Sequence, residues 1–120
     1  MKALSLTQPY ANWICDGSKP IETRTWQTGY RGDLLICATK QKVYHEGVLI
    51  EPIGVALCVV EIVDCTPMAP HDEIAARVKW RPELWSWLIE NVRKIKPFPV
   101  KGQLRIFNVD YEYKPERNKW

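Results

Sequence analysis

Gly17-Ser18-Lys19-Pro20-Ile21-Glu22-Thr23-Arg24 is the stretch on which the reading of this chain turns. A glycine there closes a short helix, a lysine occupies the turn, and a strand begins at Ile21. Side chains alternate along a strand, so Glu22 and Arg24 share one face, roughly 6.6 Å apart. Both reach one small cavity, and Lys19 enters it from the turn. Two cations and one anion meeting in this way make either a structural salt-bridge network or a site for a charged ligand. Spacing alone leaves both readings open.

Upstream, Lys2 to Leu6 alternates and reads as a strand. Thr7-Gln8-Pro9 follows, and proline is favoured at the first helical position, so a helix is expected from Pro9. Tyr10, Trp13 and Ile14 fall at i, i+3 and i+4 on one face. Gly17 stops the helix after barely two turns, too short to stand without packing.

Downstream, the first strand after the turn runs from Ile21 to Trp26, with Tyr30-Arg31-Gly32-Asp33 as a turn and Leu34 to Ala38 as the next strand. Residues 40–52 are polar and read as an irregular loop. Gly54 to Asp64 is nearly all apolar, so it is expected as the longest strand, covered on both faces. Thr66-Pro67-Met68-Ala69-Pro70 breaks the chain, and a short helix is expected from Asp72. A clearer helix is expected from Pro82, because Leu84, Trp85, Leu88, Ile89 and Val92 fit the helical period; Pro97 and Pro99 end it. Gln103 to Tyr111 reads as the last strand, with a bulge near Ile106 where its apolar phase slips. The expectation is one α+β domain over residues 1–113, a small mixed β-barrel of five or six strands with two or three short flanking helices, and a frayed tail over 114–120.

A chain of 120 residues with 46% hydrophobic, 26% charged and 11% aromatic residues is neither disordered, collagenous nor a coiled coil. It can bury roughly two-thirds of its extended-chain surface, so it is expected to need neither disulfides nor a metal to fold. Its longest apolar run, Val55 to Val60, is too short for a membrane span, and the N-terminus lacks the apolar stretch of a signal peptide, so a cytoplasmic protein is expected. The 17 basic residues exceed the 14 acidic ones only slightly. Yet Arg93, Lys94, Lys96, Lys101 and Arg105 occur with no acid between Asn91 and Arg105, and a local basic strip suits phosphate. Cys15, Cys37, Cys58 and Cys65 form no CxxC motif and read as small buried hydrophobes. With only His45 and His71 to help, no metal and no cofactor is expected.

GSKPIETR matches the GxKxxExR signature of the ASCH domain, the activating signal cointegrator homology domain. ALSLTQPYANWICDG resembles that family's opening strand and helix. ETRTWQTGYRGDLLICAT resembles the stretch after the signature in one branch, and PFPVKGQLRIFNV the closing turn and final strand. The resemblance implies a PUA-like β-barrel with a cleft at one end, lined by the signature residues, here Lys19, Glu22 and Arg24. It implies binding of RNA or a nucleotide. Some small bacterial members hydrolyse N4-acetylcytidine, and at least one is a ribonuclease. That amidohydrolase branch carries a threonine where this chain has Glu22, and strand alternation aims Thr23 and Thr25 away from the cleft. In an enzyme, Lys19 would act as a base if desolvation or Arg24 lowered its pKa, and Glu22 would shuttle a proton. Pairing with Glu22 opposes this by keeping Lys19 charged, which favours binding.

Around the cleft the candidates are Thr7, Gln8, Tyr10, Trp13, Trp26, Tyr30, Arg31, Thr39 and Lys40. Tyr10 or Trp26 would stack a base, and Gln8 would read a base edge. Trp13 and Trp85 are expected in the core; Trp87 lies off the helical stripe, and Trp80, before Arg81, is exposed. Glu61 interrupts an apolar strand, either because the strand has reached the rim or because it meets a cleft cation. Three functions are thus in play: an RNA or nucleotide binder, a hydrolase of a modified nucleoside or of RNA, and a module that binds a protein partner in a larger complex. No membrane is involved in any of them.

Overall fold

The computed structural model describes residues 1–115. Of the tail expected to fray, residues 116–120 lie outside the described residues. In chain order the elements are β1 (Lys2–Leu6), α1 (Tyr10–Cys15), β2 (Ile21–Arg24), β3 (Gly32–Ala38), β4 (Tyr44–His45), β5 (Val48–Leu49), β6 (Val55–Pro67), a 3-10 turn (Pro70–Asp72), α2 (Glu73–Ala76), β7 (Trp85–Pro99) and β8 (Ile106–Asn108). One mixed sheet orders its strands β2-β7-β6-β3-β1-β8 and curls into a half-barrel. Only the β1–β3 pair in it is parallel.

The curl comes from β6 and β7. Their antiparallel ladder shifts register between Ala56 and Cys58, between Val59 and Glu61, and between Ile62 and Asp64. Each inserted residue bends the strand and adds twist, so a long pair with three such shifts wraps instead of lying flat. As its apolar run implies, β6 is covered on both faces. Cys58, Val60 and Ile62 pack with Leu34, Ile36, Ile14 and Trp87, while Ala56 and Val59 pack on the other side with Leu35, Ile95 and Phe107.

The helix expected from Pro82 is instead β7, the longest strand among the described residues. Its apolar residues satisfy two periods at once. As a strand, Trp85 lies opposite Pro67, Trp87 opposite Cys65 and Ile89 opposite Ile62. Pro97 and Pro99 sit within it, where a helix would break, and the stretch is rich in aromatic and β-branched residues that favour strands. Bonding to β6 on one side and β2 on the other decides the outcome. The tryptophans change places accordingly: Trp87 is fully buried against Trp26, with ring centroids 4.7 Å apart, while Trp85 is half-buried. Trp80 is partly exposed, as expected.

Smaller differences follow from local geometry. Pro9 caps α1 from outside the helix, which begins at Tyr10. Residues 40–52 contain a β4–β5 hairpin; Glu46 and Gly47 both have positive φ, matching the twist that a two-residue hairpin turn needs. The last strand is only Ile106–Asn108. The chain turns into it at Arg105, φ 60°, and leaves Leu104 93% exposed. Glu61 reaches neither a rim nor the cleft. It lies within β6 opposite Asp33 and Glu90, and Arg93 clamps Asp33 at 2.6 Å and 3.2 Å.

Cys15 and Cys58 are joined in a disulfide that fastens α1 to β6. Nothing in their spacing announces it: the residues are 43 apart and meet only because α1 lies on the sheet. Cys37 and Cys65 are free.

Candidate functional site

The signature residues converge. Gly17, φ 84°, ends α1, and the Lys19 amide donates back to the Trp13 carbonyl at 2.9 Å, folding the turn under the helix. β2 then pairs with β7, Glu22 opposite Trp87 and Arg24 opposite Trp85. α2 packs on β2 through Ala76, Ile21, Met68 and Leu84, which brings the Ala76 carbonyl over the lysine.

Lys19 is 1% exposed. Its Nζ donates to the Ile21 carbonyl at 2.8 Å and to the Ala76 carbonyl, and lies 3.5 Å from Glu22 Oε1. An ammonium has three N–H donors, and these three acceptors account for all of them. Burial pushes the Lys19 pKa below its usual value; Glu22 opposes that shift, and Arg24 and Arg77 add to it. Glu22 spends its second oxygen on Arg24 Nε at 2.9 Å. Arg24 also donates from Nη2 to the Ser5 carbonyl at 3.3 Å, and its Nη1 donates to nothing among the described residues. The carboxylate is therefore a bridge between a sealed cation and one that is about a quarter exposed.

This trio floors an open hollow of about 310 Å³, walled by Ser5, Leu6, Thr7, Tyr10, Thr23 and Val78. Tyr10 is 36% exposed, and its ring lies 5.5 Å from Lys19 Nζ and edge-on to Trp13. Thr23 lines the hollow although alternation aimed it away. A second hollow shares Thr23, Arg24 and Val78 and continues past Thr25 and Trp26 to Lys79 and Arg81. The Arg105 guanidinium stacks 4.5 Å above the Trp26 ring.

The remaining candidates are placed elsewhere. Gln8 is buried; its amide donates to Asn12 Oδ1 and the Pro52 carbonyl and accepts from the Asn12 amide, so it braces the 51–52 loop against α1. Tyr30 donates to the Asp33 carbonyl, and Arg31 donates to the Thr28 and Tyr30 carbonyls and lies 3.6 Å from Asp64. None of the three lines the hollow. Trp13 is half-buried under Arg77, 4.2 Å from its ring. Thr39 and Lys40 line a separate hollow beyond Ser5. The basic strip of 91–105 does not form one patch: Arg93, on β7, goes to Asp33, while in the segment between β7 and β8 Lys101 lines the hollow beyond Ser5 and Arg105 stacks on Trp26. The Ala76 carbonyl and Val78 carried no signal in the sequence; Lys79-Trp80-Arg81, an aromatic between two cations, did. No group of three or more His, Cys, Asp or Glu side chains converges among the described residues, and no helix among them is long and apolar enough to cross a membrane.

The ASCH domain family model matches residues 4–99. The chain belongs to the ASCH-domain family. It is 27% identical to human activating signal cointegrator 1 and 28% identical to the mouse protein, in each case over 89% of this chain but only 22% of the relative. The chain thus spans about a fifth of the length of the curated relatives it matches. Its fold is similar to the crystal structure of ASCH from Zymomonas mobilis, with a TM-score of 0.63 at 14% identity, over 82% of this chain and 73% of that one. The crystal structure of a tyrosine-to-phenylalanine mutant of that Zymomonas mobilis protein gives 0.59 at 13% identity, over 82% and 75%. The ASCH fold thus accounts for the mixed half-barrel, and the family as a whole is associated with RNA binding.

Proposed function

We propose that this ASCH domain binds single-stranded RNA, one nucleotide of which occupies the hollow floored by Lys19, Glu22 and Arg24. The observation that carries the reading is the state of Arg24. Two of its nitrogens are held by Glu22 and Ser5, so the guanidinium is pre-oriented, and Nη1 keeps its N–H groups for a ligand. Guanidinium geometry matches phosphate, and a pre-oriented fork loses little entropy on binding. Tyr10 offers a partly exposed ring beside it, and Thr7 and Thr23 supply hydroxyls. Lys79 extends the positive field into the adjoining hollow, which Arg81, 3.7 Å from Glu83, also lines. Lys19 is a positioning group: it holds Glu22, and Glu22 holds Arg24.

The test is anisotropy of a labelled oligouridylate at low salt. Binding is expected to weaken as salt rises, because neutralised phosphates release counterions. Arg24→Ala is expected to weaken it roughly tenfold to a hundredfold, the worth of a charge-assisted hydrogen bond. No binding at low salt, or equal binding by Arg24→Ala, refutes the reading.

Hydrolysis of an acylated cytidine is the second reading, favoured by the lowered pKa of Lys19 and by the Thr7 and Thr23 hydroxyls in the same hollow. Lys19 spends its three N–H groups on Ile21, Ala76 and Glu22, which makes it the weaker one. Incubation with N4-acetylcytidine decides it: release of acetate establishes an enzyme, and none removes the reading.

A further inference from the structure

The hollow beyond Ser5, about 400 Å³, lies between Thr39 and Lys40 on one side and Lys101 and Gly102 on the other, with no carboxylate in its lining. Ser5 is the wall it shares with the signature hollow. On the first side the Ser5 carbonyl accepts from Arg24 Nη2. On the other, Gly102 presses so close that a Cβ there would stand 2.8 Å from Ser5 Oγ. The partition between the two hollows is therefore a single residue thick, and its hydroxyl is buried without a hydrogen-bond partner among the described residues.

Neither Lys40 nor Lys101 makes an ion pair or hydrogen bond among the described residues, and the main-chain N–H groups of Lys101, Gly102 and Gln103 donate to nothing there. The Lys40 stem is laid against Gly54, whose added Cβ would meet Lys40 Cγ at 3.0 Å. Two lysines with unspent ammonium groups and a stretch with unspent amides thus line one concavity, together with the exposed Leu104. Unpaired cations with no acid near them repel one another until an anion sits between them.

We infer that this hollow is a second phosphate subsite, which takes the backbone of the same RNA strand as it leaves the signature hollow past Ser5. The inference rests on the RNA-binding reading and deepens it: the ligand is an oligonucleotide, and a free nucleotide fills only the first hollow. Lys40 and Lys101 hold its continuing phosphates, and the Leu104 face lies against an unstacked base.

The test compares a short labelled oligouridylate with uridine monophosphate as competitor, on the native chain and on the doubly substituted Lys40→Ala/Lys101→Ala protein. Both lysines are exposed, so folding is checked by an unchanged thermal midpoint. The double variant is expected to bind the oligonucleotide roughly tenfold more weakly, with a salt slope smaller by about 1.4 for two lost single-strand phosphate contacts. Uridine monophosphate is expected to compete equally well for its own site in both proteins. Lys94→Ala/Lys96→Ala, which removes the same charge elsewhere, is expected to lose less than half that slope. An unchanged oligonucleotide affinity in the Lys40/Lys101 variant, with Arg24→Ala still weakened, overturns the second subsite and leaves the first hollow standing. An equal loss in the Lys94/Lys96 variant overturns it too, as an effect of net charge. Absence of RNA binding by the native chain overturns both readings together.

Discussion

Glu22→Gln is the substitution that bears hardest on this arrangement. The carboxylate lies 3.5 Å from Lys19 Nζ through one oxygen and 2.9 Å from Arg24 Nε through the other, and both it and Lys19 are buried. Gln is nearly the same size, so the change removes charge without opening a cavity. It leaves a sealed ammonium with neutral acceptors and no counter-charge, and it turns the amide NH2 towards one of the two cations, where a donor meets a donor. Removing one partner of a buried pair costs about 3–5 kcal/mol because the other charge is left uncompensated. For a domain of this size, at roughly 4 °C per kcal/mol, the thermal midpoint should fall by about 12–20 °C. The loss also has a pH signature. The folded-state pKa of Lys19 is already below the usual 10.5, with Glu22 holding it up. Without Glu22 it falls further. Between that lower value and 10.5 the unfolded chain binds a proton that the folded variant has released, so the variant gains stability as pH rises. The native chain begins this gain only at higher pH, so the gap between the two should narrow from neutral pH towards about 10. Urea denaturation of both proteins over that range measures it. A gap below about 1 kcal/mol at neutral pH, or one that stays constant or widens with pH, would show that the carboxylate does not hold a buried ammonium.

Other outcomes follow from the sulfur atoms. Reduction of the Cys15–Cys58 bridge frees a loop spanning 43 residues, and chain entropy sets the loss at about 4 kcal/mol; denaturation with and without reductant checks it, and an unchanged midpoint would mean that the bridge constrains little. Because the bridge pins the helix that carries Tyr10, reduction should also weaken RNA binding at temperatures where the fold survives; equal affinity in both redox states would separate the helix from the site. Of the free thiols, Cys65 is half-buried and accepts from the Thr28 amide at 3.5 Å, whereas burial pushes Cys37 up to about 12. A thiol reagent should therefore modify Cys65 in the native protein and Cys37 only on unfolding, and mass spectrometry of the modified chain would reveal the reverse order.

The local part of this architecture was legible in the residues, and the non-local part was not. Lys19, Glu22 and Arg24 meet because of turn and strand geometry within eight residues, so their spacing foretold the convergence. Period-two alternation found β1 and all of β2, running two residues past its end at Arg24, and the apolar run found β6 with both faces covered. β7 was misread because Leu84, Trp85, Leu88, Ile89 and Val92 suit a helix, while the β6 and β2 edges that claim the segment lie far away in sequence. The sealing of Lys19 was equally hidden, since its cover is a main-chain carbonyl on α2, a group that every residue carries. Gln8 looks free in the sequence and is spent on Pro52, a partner 44 residues away that only the folded chain brings near.

The most direct examination of the central claim is a two-dimensional NMR titration of the labelled protein with oligouridylate, following the Arg24 side-chain Nε–H, the Lys19 ammonium, and the amides of Thr7, Tyr10 and Thr23. The account predicts that Arg24 and the hollow's amides shift together and saturably, while the Lys19 ammonium keeps its hydrogen bonds to Ile21 and Ala76. Shifts confined to another face, such as a separate hollow lined by Asn12, Asp16 and Lys94, or an Arg24 signal that does not move at saturation, would contradict it.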